Sequence, residues 1–393
     1  MLDKPIDQIT EADLQFLVEN KIPEQRSLEY KSQLPGKQEP EKYKFLPVIT
    51  SLANTIGGTI VYGIKEDEKH FPISLDGVDV DDIDETTRRL EQIVRAGISP
   101  KIPQLTTRAI RLSNGKYAFL INVKKSWASP HIVSIGENNG RFYGRSSAGR
   151  HLMDVDELRD AFGRAEALSI RIKRFIQERN ATIFLDDTPV SLEPGAKLVC
   201  HFIPFSFADS SAVIALRERD KMIEMLCPQN YVGRGFWAGV DGHFNFEGFC
   251  THTPEVNGNV DTFTQLFRNG VIEATYIIER GDGLIYPDII ENKVLNFTNV
   301  YLSALKELGI SPPIAVSVTI LGAKGYVKYR NPHELRSISP IPISREELPL
   351  PIIQINDYGC DERAFLRPAF DALYNALGKQ GSPSYDENGA WIR

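Results

Sequence analysis

Between Glu24 and Asp67 the chain changes its hydrophobic period twice, and this stretch limits what the remainder can pack against. Leu28 and Tyr30 alternate with Glu29 and Lys31, so a strand places two apolar side chains on one face and the acid and lysine on the other. A helix is predicted over Lys42 to Ala53, where Phe45, Val48, Ile49 and Leu52 recur at helical spacing and Pro47 falls near the first turn. Asn54-Thr55-Ile56-Gly57-Gly58 ends it, and a strand is expected over Thr59 to Ile64. Carboxylates stand at both ends of the unit: Glu24 and Glu29 at one, Glu66 and Asp67 at the other. Such acids can hold a divalent cation, Mg or Mn, with a water poised beside it. A plain salt bridge would account for Glu29 and Lys31 just as well.

Gly57 and Gly58 have two readings. Residues without Cβ let backbone amides approach a phosphate, which makes Asn54, Gly57 and Gly58 a phosphate-approach candidate. The alternative is a helix C-cap turning into a strand. No GxxxxGK[ST] occurs, which argues against a Walker-type ATPase.

Around this unit the signals are ordinary. Thr10 to Val18 reads as a short helix with Thr10 as N-cap and Asp13 at the box position. The acids of residues 75–91 lead into a helix over Asp82 to Arg95, where they complement its N-terminal dipole. Two strands, Leu105 to Leu112 and Lys116 to Val123, flank Ser113-Asn114-Gly115, a hairpin turn. Basic and aromatic residues then interleave: Lys124, Lys125 and Trp127, followed by Arg141, Tyr143, Arg145 and Arg150. That mixture suits phosphate contacts and base stacking, although a strand edge protected by lysines looks similar. The net charge is −7, yet residues 95–174 hold fifteen Lys and Arg against six Asp and Glu. A local positive excess of this kind is the footprint of nucleic-acid binding. Asp154-x-x-Glu157 then forms a capping box that opens a helix through Leu168 and on toward Arg179.

The order of these pieces resembles a known family. Glu24-x4-Glu29-Tyr30-Lys31, then Ser51-Leu-Ala-Asn-Thr-Ile-Gly-Gly-Thr-Ile-Val-Tyr-Gly-Ile64, then Gly140-Arg-Phe-Tyr-Gly-Arg-Ser-Ser147 resemble the AlbA_2 domain of the Schlafen family over about the first 165 residues. The resemblance implies a nucleic-acid-binding core, often labelled ATP-binding. In some members it is a metal-dependent nuclease cleaving tRNA-like RNA or single-stranded nucleic acid, with a role in antiphage defence or stress. It places Glu24 and Glu29 on the first two catalytic acids, with Glu66 or Asp67 as the third and Lys31 beside them. Glu66 stands at the expected aspartate position, and a one-residue shift along a strand reverses the face. The competing expectation is a nucleic-acid- or ATP-binding regulatory module without chemistry, its C-terminal half serving recognition or homodimerisation.

The second half reads as strands: Ile183 to Leu185, Leu198 to Ile203, Phe236 to Phe249, Val271 to Glu279 and Ser317 to Leu321. A helix over Pro287 to Leu308 ends at Gly309. The expected fold is α+β: a mixed α/β core over 1–165, a connecting helix over 166–180, and a β-rich α+β domain over 181–338. Residues 339–393 are expected to be a Pro-rich linker, a helix over Asp361 to Leu377, and a mobile tail. His243, Cys250 and His252 supply only three ligands at a non-standard zinc spacing. Four scattered cysteines suggest reduced thiols. With no apolar run of membrane-spanning length and no signal-peptide pattern, a cytoplasmic protein without membrane contact is expected.

Overall fold

Thr10 opens helix α1 (Glu11–Glu19), donating from its backbone N–H and its hydroxyl to Asp13 Oδ2 at 2.9 and 2.8 Å. The computed structural model describes residues 4, 6–103, 105–146, 149–209, 213–227, 240–279, 283–329, 341–387 and 389–392. The chain divides into two compact units, Met1–Ala167 and Leu168–Arg393.

In the first unit, strand β1 (Leu28–Lys31) precedes helix α2 (Leu46–Asn54), strand β2 (Gly57–Tyr62) and a hairpin, β3 (Ile64–Glu66) with β4 (Pro72–Leu75). Helix α2 begins later than the apolar spacing suggests. Pro47 fits only its first turn, and a 3-10 turn takes up Glu41–Tyr43 instead. Helix α3 (Ile83–Gly97) is capped by Asp82, which accepts the Glu85 N–H at 2.9 Å. Strands β5 (Ile98–Ser99), β6 (Leu105–Arg111), β7 (Tyr117–Lys124), β8 (Ile132–Val133), β9 (Arg141–Ser146) and β10 (Gly149–Leu152) follow. Helix α4 (Val155–Phe184) starts in this unit through the reciprocal Asp154–Glu157 cap and ends in the second.

Two four-stranded sheets result, ordered β1-β2-β7-β6 and β10-β9-β8-β5. All nine residues of α2 are buried, as expected of a helix that packs against both β7 and β9. In the first sheet, β1 runs parallel to β2 and lies at the edge. Leu28 and Tyr30 join the core beneath α1, while Ile60 and Tyr62 join the core on the α2 face. Alternation therefore puts Glu29 and Lys31 on the α2 face at an open edge, where only half-burial is imposed. The expected alternation of β1 and the β6–β7 hairpin are both present.

The glycine pair is where the backbones crowd. A Cβ on Gly58, at φ +155°, would lie 2.5 Å from the Ser27 carbonyl oxygen, and one on Gly57, at φ +79°, would lie 2.7 Å from the Lys125 nitrogen. These faces are filled by neighbouring backbone; Thr55 is the C-cap of α2, and the two glycines open β2. Gly58→Ala is expected to lower stability by about 1–3 kcal/mol, read as a reduced urea midpoint at constant slope. An unchanged midpoint would contradict this close packing.

The second unit is built on one antiparallel sheet. Its strands are β11 (Ala196–Pro204), β12 (Asp241–Phe244), β13 (Gly248–His252), β14 (Phe263–Phe267), β15 (Ile272–Glu279), β16 (Leu284–Ile285), β17 (Ile314–Leu321), β18 (Val327–Lys328), β19 (Glu347–Pro349) and β20 (Ile353–Ile355). The large sheet runs β12-β13-β14-β15-β11-β17-β19, with β20 also on β17, and β16 pairs with β18 separately. Helices α5 (Arg219–Leu226), α6 (Pro287–Glu307) and α7 (Glu362–Ala376) share one apolar core with the sheet. On other apolar clusters, Leu168, Ile172, Ile176 and Ile183 of α4 pack with Ile203, Val271 and Val199.

The α+β class holds, and three local expectations are corrected. Ile183 to Leu185 is not a strand: Ile183 and Phe184 end α4, because a three-residue apolar run continues whatever period precedes it. The Pro-rich segment is not a free linker, since β19 and β20 both pair with β17 and Pro349 is tolerated at an edge. The tail is tied down, with Ser382 and Ser384 hydroxyls donating to buried Glu291 and the Tyr385 and Trp391 rings 5.1 Å apart. Ser147, residues 236–239, Ser339 and Pro340 lie outside the described residues. None of the four cysteines is in a disulfide, and no helix among the described residues is long and apolar enough to cross a membrane.

Candidate active site

The β1 edge brings the sequence-selected acids together with one residue that the sequence did not single out. Glu24 is placed by its backbone. Its N–H donates to the His70 carbonyl at 3.1 Å, and its Oε1 accepts the Tyr30 N–H at 2.8 Å. His70 closes the β3–β4 turn at φ +61°, and its Nδ1 lies 3.3 Å from both Glu24 Oε2 and Glu66 Oε2. One ligand atom from each of Glu24, Glu66 and His70 falls within 4.8 Å of the others. Among the described residues no other His, Cys, Asp or Glu group meets that spacing.

Glu29 is used differently. One carboxylate oxygen pairs with Lys31 Nζ at 2.8 Å and the other with Arg145 Nη2 at 2.5 Å. Lys31 Nζ also lies 3.7 Å from Glu24 and 3.9 Å from Glu66, so a single ammonium faces all three carboxylates. The two neighbouring acids are thereby driven apart. Burial, with Glu29 and Glu66 nearby, pushes the Glu24 carboxyl up, whereas Lys31 and Arg145 outweigh burial at Glu29 and hold it down. A half-buried carboxylate with two further carboxylates near it and an O,O,N donor set fits a divalent cation. Glu24, Glu66 and His70 are the residues that would hold it.

Asp67 is not part of this cluster. Its Oδ1 accepts the Lys69 and Phe71 N–H groups at 2.8 and 3.0 Å, which shapes the turn that delivers His70. Of the two, Glu66, the last residue of β3, is the one within the cluster, and Asp67 lies just beyond the strand.

A cavity of about 850 Å³ opens beside the acids, lined by Glu24, Glu29, Lys31, Arg145, Arg150 and His70 among others. The basic candidates divide around it. Arg150 is exposed and lies over the Tyr143 ring at 5.4 Å. Arg145 is a buried strut, 3% exposed, whose Nη2 also donates to the Gln25 and Leu28 carbonyls. Its Nε and Nη1 have no partner. Tyr143 is buried with its hydroxyl on Asn138 at 2.6 Å, so it is no stacking platform. Exposed Arg141, and Lys124, Lys125 and Trp127, do not line this cavity; Lys125 lies over the Trp127 ring at 5.2 Å. Asn54 is likewise committed, its amide bonded to the His131 and Tyr143 carbonyls and to the His131 N–H.

In the second unit, His243, Cys250 and His252 lie on paired strands with the two imidazoles 5.9 Å apart. Burial pushes the Cys250 thiol up to about 12, which disfavours the thiolate that a metal requires.

An edge-strand acid pair, a third acid beyond a glycine turn, and a closing basic strand define a mixed α/β domain with a carboxylate site. Residues 24–154 match the Schlafen, AlbA_2 family, and the first unit carries a Schlafen AlbA_2 domain. Solved structures also match at low similarity. The N-terminal domain of an ATP-dependent DNA helicase RecG-related protein from Nitrosomonas europaea is 16% identical, with 36% of this chain and 91% of that one covered and a TM-score of 0.27. The DIP2311 protein from Corynebacterium diphtheriae is 16% identical over 36% of this chain and 26% of that one, at a TM-score of 0.24. Among curated proteins none matches the sequence.

Proposed function

We propose that the first unit binds nucleic acid and cleaves it as a metal-dependent nuclease, acting on tRNA-like RNA or another single-stranded substrate in defence or stress. The observation that carries this reading is the convergence of Glu24 and His70 with Lys31, Arg145 and Arg150 on one cavity, with a Glu66 oxygen within 4.8 Å of donor atoms of both Glu24 and His70. A bound Mg or Mn would polarise the scissile phosphate and lower the pKa of an attacking water. The chain's own residues do the rest. Arg150 attracts the phosphate backbone, and Lys31, already among the carboxylates, stabilises negative charge that develops on phosphate oxygens. Glu29 holds Lys31 in place.

A second reading is supported by the same ion pairs. With both Glu29 oxygens satisfied, the site is also a stable closed network suited to a binding module without chemistry. End-labelled tRNA and single-stranded DNA incubated with the protein in Mn or Mg, and in EDTA, separate the two. Cuts that require metal are the expected result. Intact substrate with a retained gel shift would establish the binding module instead.

A further inference from the structure

We infer that His70 is a direct metal ligand that sets the site's preference for Mn(II) over Mg(II), an inference that rests on the metal-site reading above. The argument starts from ligand chemistry. A site of carboxylates alone serves Mg(II) and Mn(II) alike, and an imidazole nitrogen adds more affinity for a first-row transition ion, Mn(II) included, than for Mg(II), which holds to oxygen donors. His70 Nδ1 is equidistant, at 3.3 Å, from an oxygen of Glu24 and an oxygen of Glu66. The three donor atoms lie within 4.8 Å of one another, close enough for one ion to reach all of them.

The presentation is built into the backbone. His70 occupies a left-handed conformation, φ +61°, which a non-glycine residue adopts at a cost. It is tied there by its own N–H to the Asp67 carbonyl at 3.1 Å and by the Glu24 N–H to its carbonyl. Glu24 and His70 are thus fixed to each other through the main chain before any cation arrives. Arg145 lines the same cavity, and its buried guanidinium keeps Nε and Nη1 without a partner.

The imidazole is mostly exposed, at 64% of its side-chain area, so replacing it removes little packing. Two replacements suit a left-handed position, glycine and asparagine. Mn(II) binding to the full chain is read by the loss of the free-ion electron paramagnetic resonance signal, and Mg(II) by its competition against Mn(II). Losing a direct ligand should cost at least the roughly tenfold that losing an outer-sphere partner costs. His70→Gly is therefore expected to weaken Mn(II) binding by about tenfold or more while Mg(II) changes less, so the Mn/Mg ratio falls. His70→Asn, which substitutes an oxygen donor, is expected to lower the ratio further by retaining Mg(II). An unchanged Mn/Mg ratio in both variants would overturn the inference, even if the protein cleaves RNA. Mn(II) binding that depends on His70 in a protein that cleaves nothing would uphold it and remove only the nuclease reading.

Discussion

Glu24→Gln is expected to reduce metal-dependent cleavage by on the order of 10³-fold, because the charge it removes is one that the metal needs and that nothing else in the site replaces. A bound cation contributes several kcal/mol of charge stabilisation to phosphoryl chemistry, and each 1.36 kcal/mol is about tenfold in rate. Glutamine keeps the size of the side chain and the acceptor for the Tyr30 N–H, so the backbone arrangement survives. The fold should not suffer either. Burial and the neighbouring Glu29 and Glu66 already disfavour a charge at Glu24, so a neutral residue is expected to leave the melting temperature unchanged or raised. Glu29→Gln is a less clean test. It strips a partner from Arg145, whose guanidinium is buried, and lost activity would be mixed with lost stability. Single-turnover cleavage of labelled RNA, with a matched thermal melt, decides the matter. A Glu24→Gln enzyme within tenfold of the wild-type rate would mean that this carboxylate is not part of the chemistry.

What could be read from the sequence was whatever depends on neighbours along the chain. The Thr10–Asp13 and Asp154–Glu157 boxes form because both partners sit within one turn. Strand β1 keeps its alternation because one face must enter the core. The meeting of Glu24, Glu29 and Glu66 was accessible too, since the glycine turn returns the chain alongside the edge strand. His70 was not, because it lies in a polar turn, and its place depends on a positive φ and a main-chain bond to Glu24 that no periodicity reports. The burial of Arg145 and Tyr143 was hidden for a related reason. A strand of alternating basic and aromatic residues reads as a surface until it is known that α2 packs against β9. Edge strands β19 and β20 were obscured by prolines that usually mark linkers, although the pairing leaves the proline nitrogen no ladder bond to make.

The second unit carries the other large expected effect. Glu273 on β15 is fully buried and receives the Arg179 guanidinium at 2.8 and 2.9 Å, with His201 Nε2 at 3.1 Å. Burial raises a carboxyl's pKa, yet at Glu273 the bonds to Arg179 and His201 outweigh it and hold the group below its ordinary value. Removing Arg179 leaves the Glu273 charge fully buried with only His201 beside it. Arg179→Met is accordingly expected to cost about 3–5 kcal/mol in urea unfolding, whereas the Arg179→Met/Glu273→Met double variant recovers most of that loss. The pH dependence has a definite sign. A carboxyl held low in the folded state binds fewer protons there than in the unfolded chain, so its contribution is present above the unfolded value, about 4.3, and is lost as pH falls through the folded one. Wild-type stability should therefore decline below about pH 4.3, more steeply than in Glu273→Gln. If the two urea midpoints instead fall in parallel on acidification, Glu273 is not held low and the triad is no electrostatic anchor. A double variant no better than Arg179→Met would point the same way, placing the cost in lost packing around Phe267, over which the Arg179 guanidinium lies at 5.0 Å.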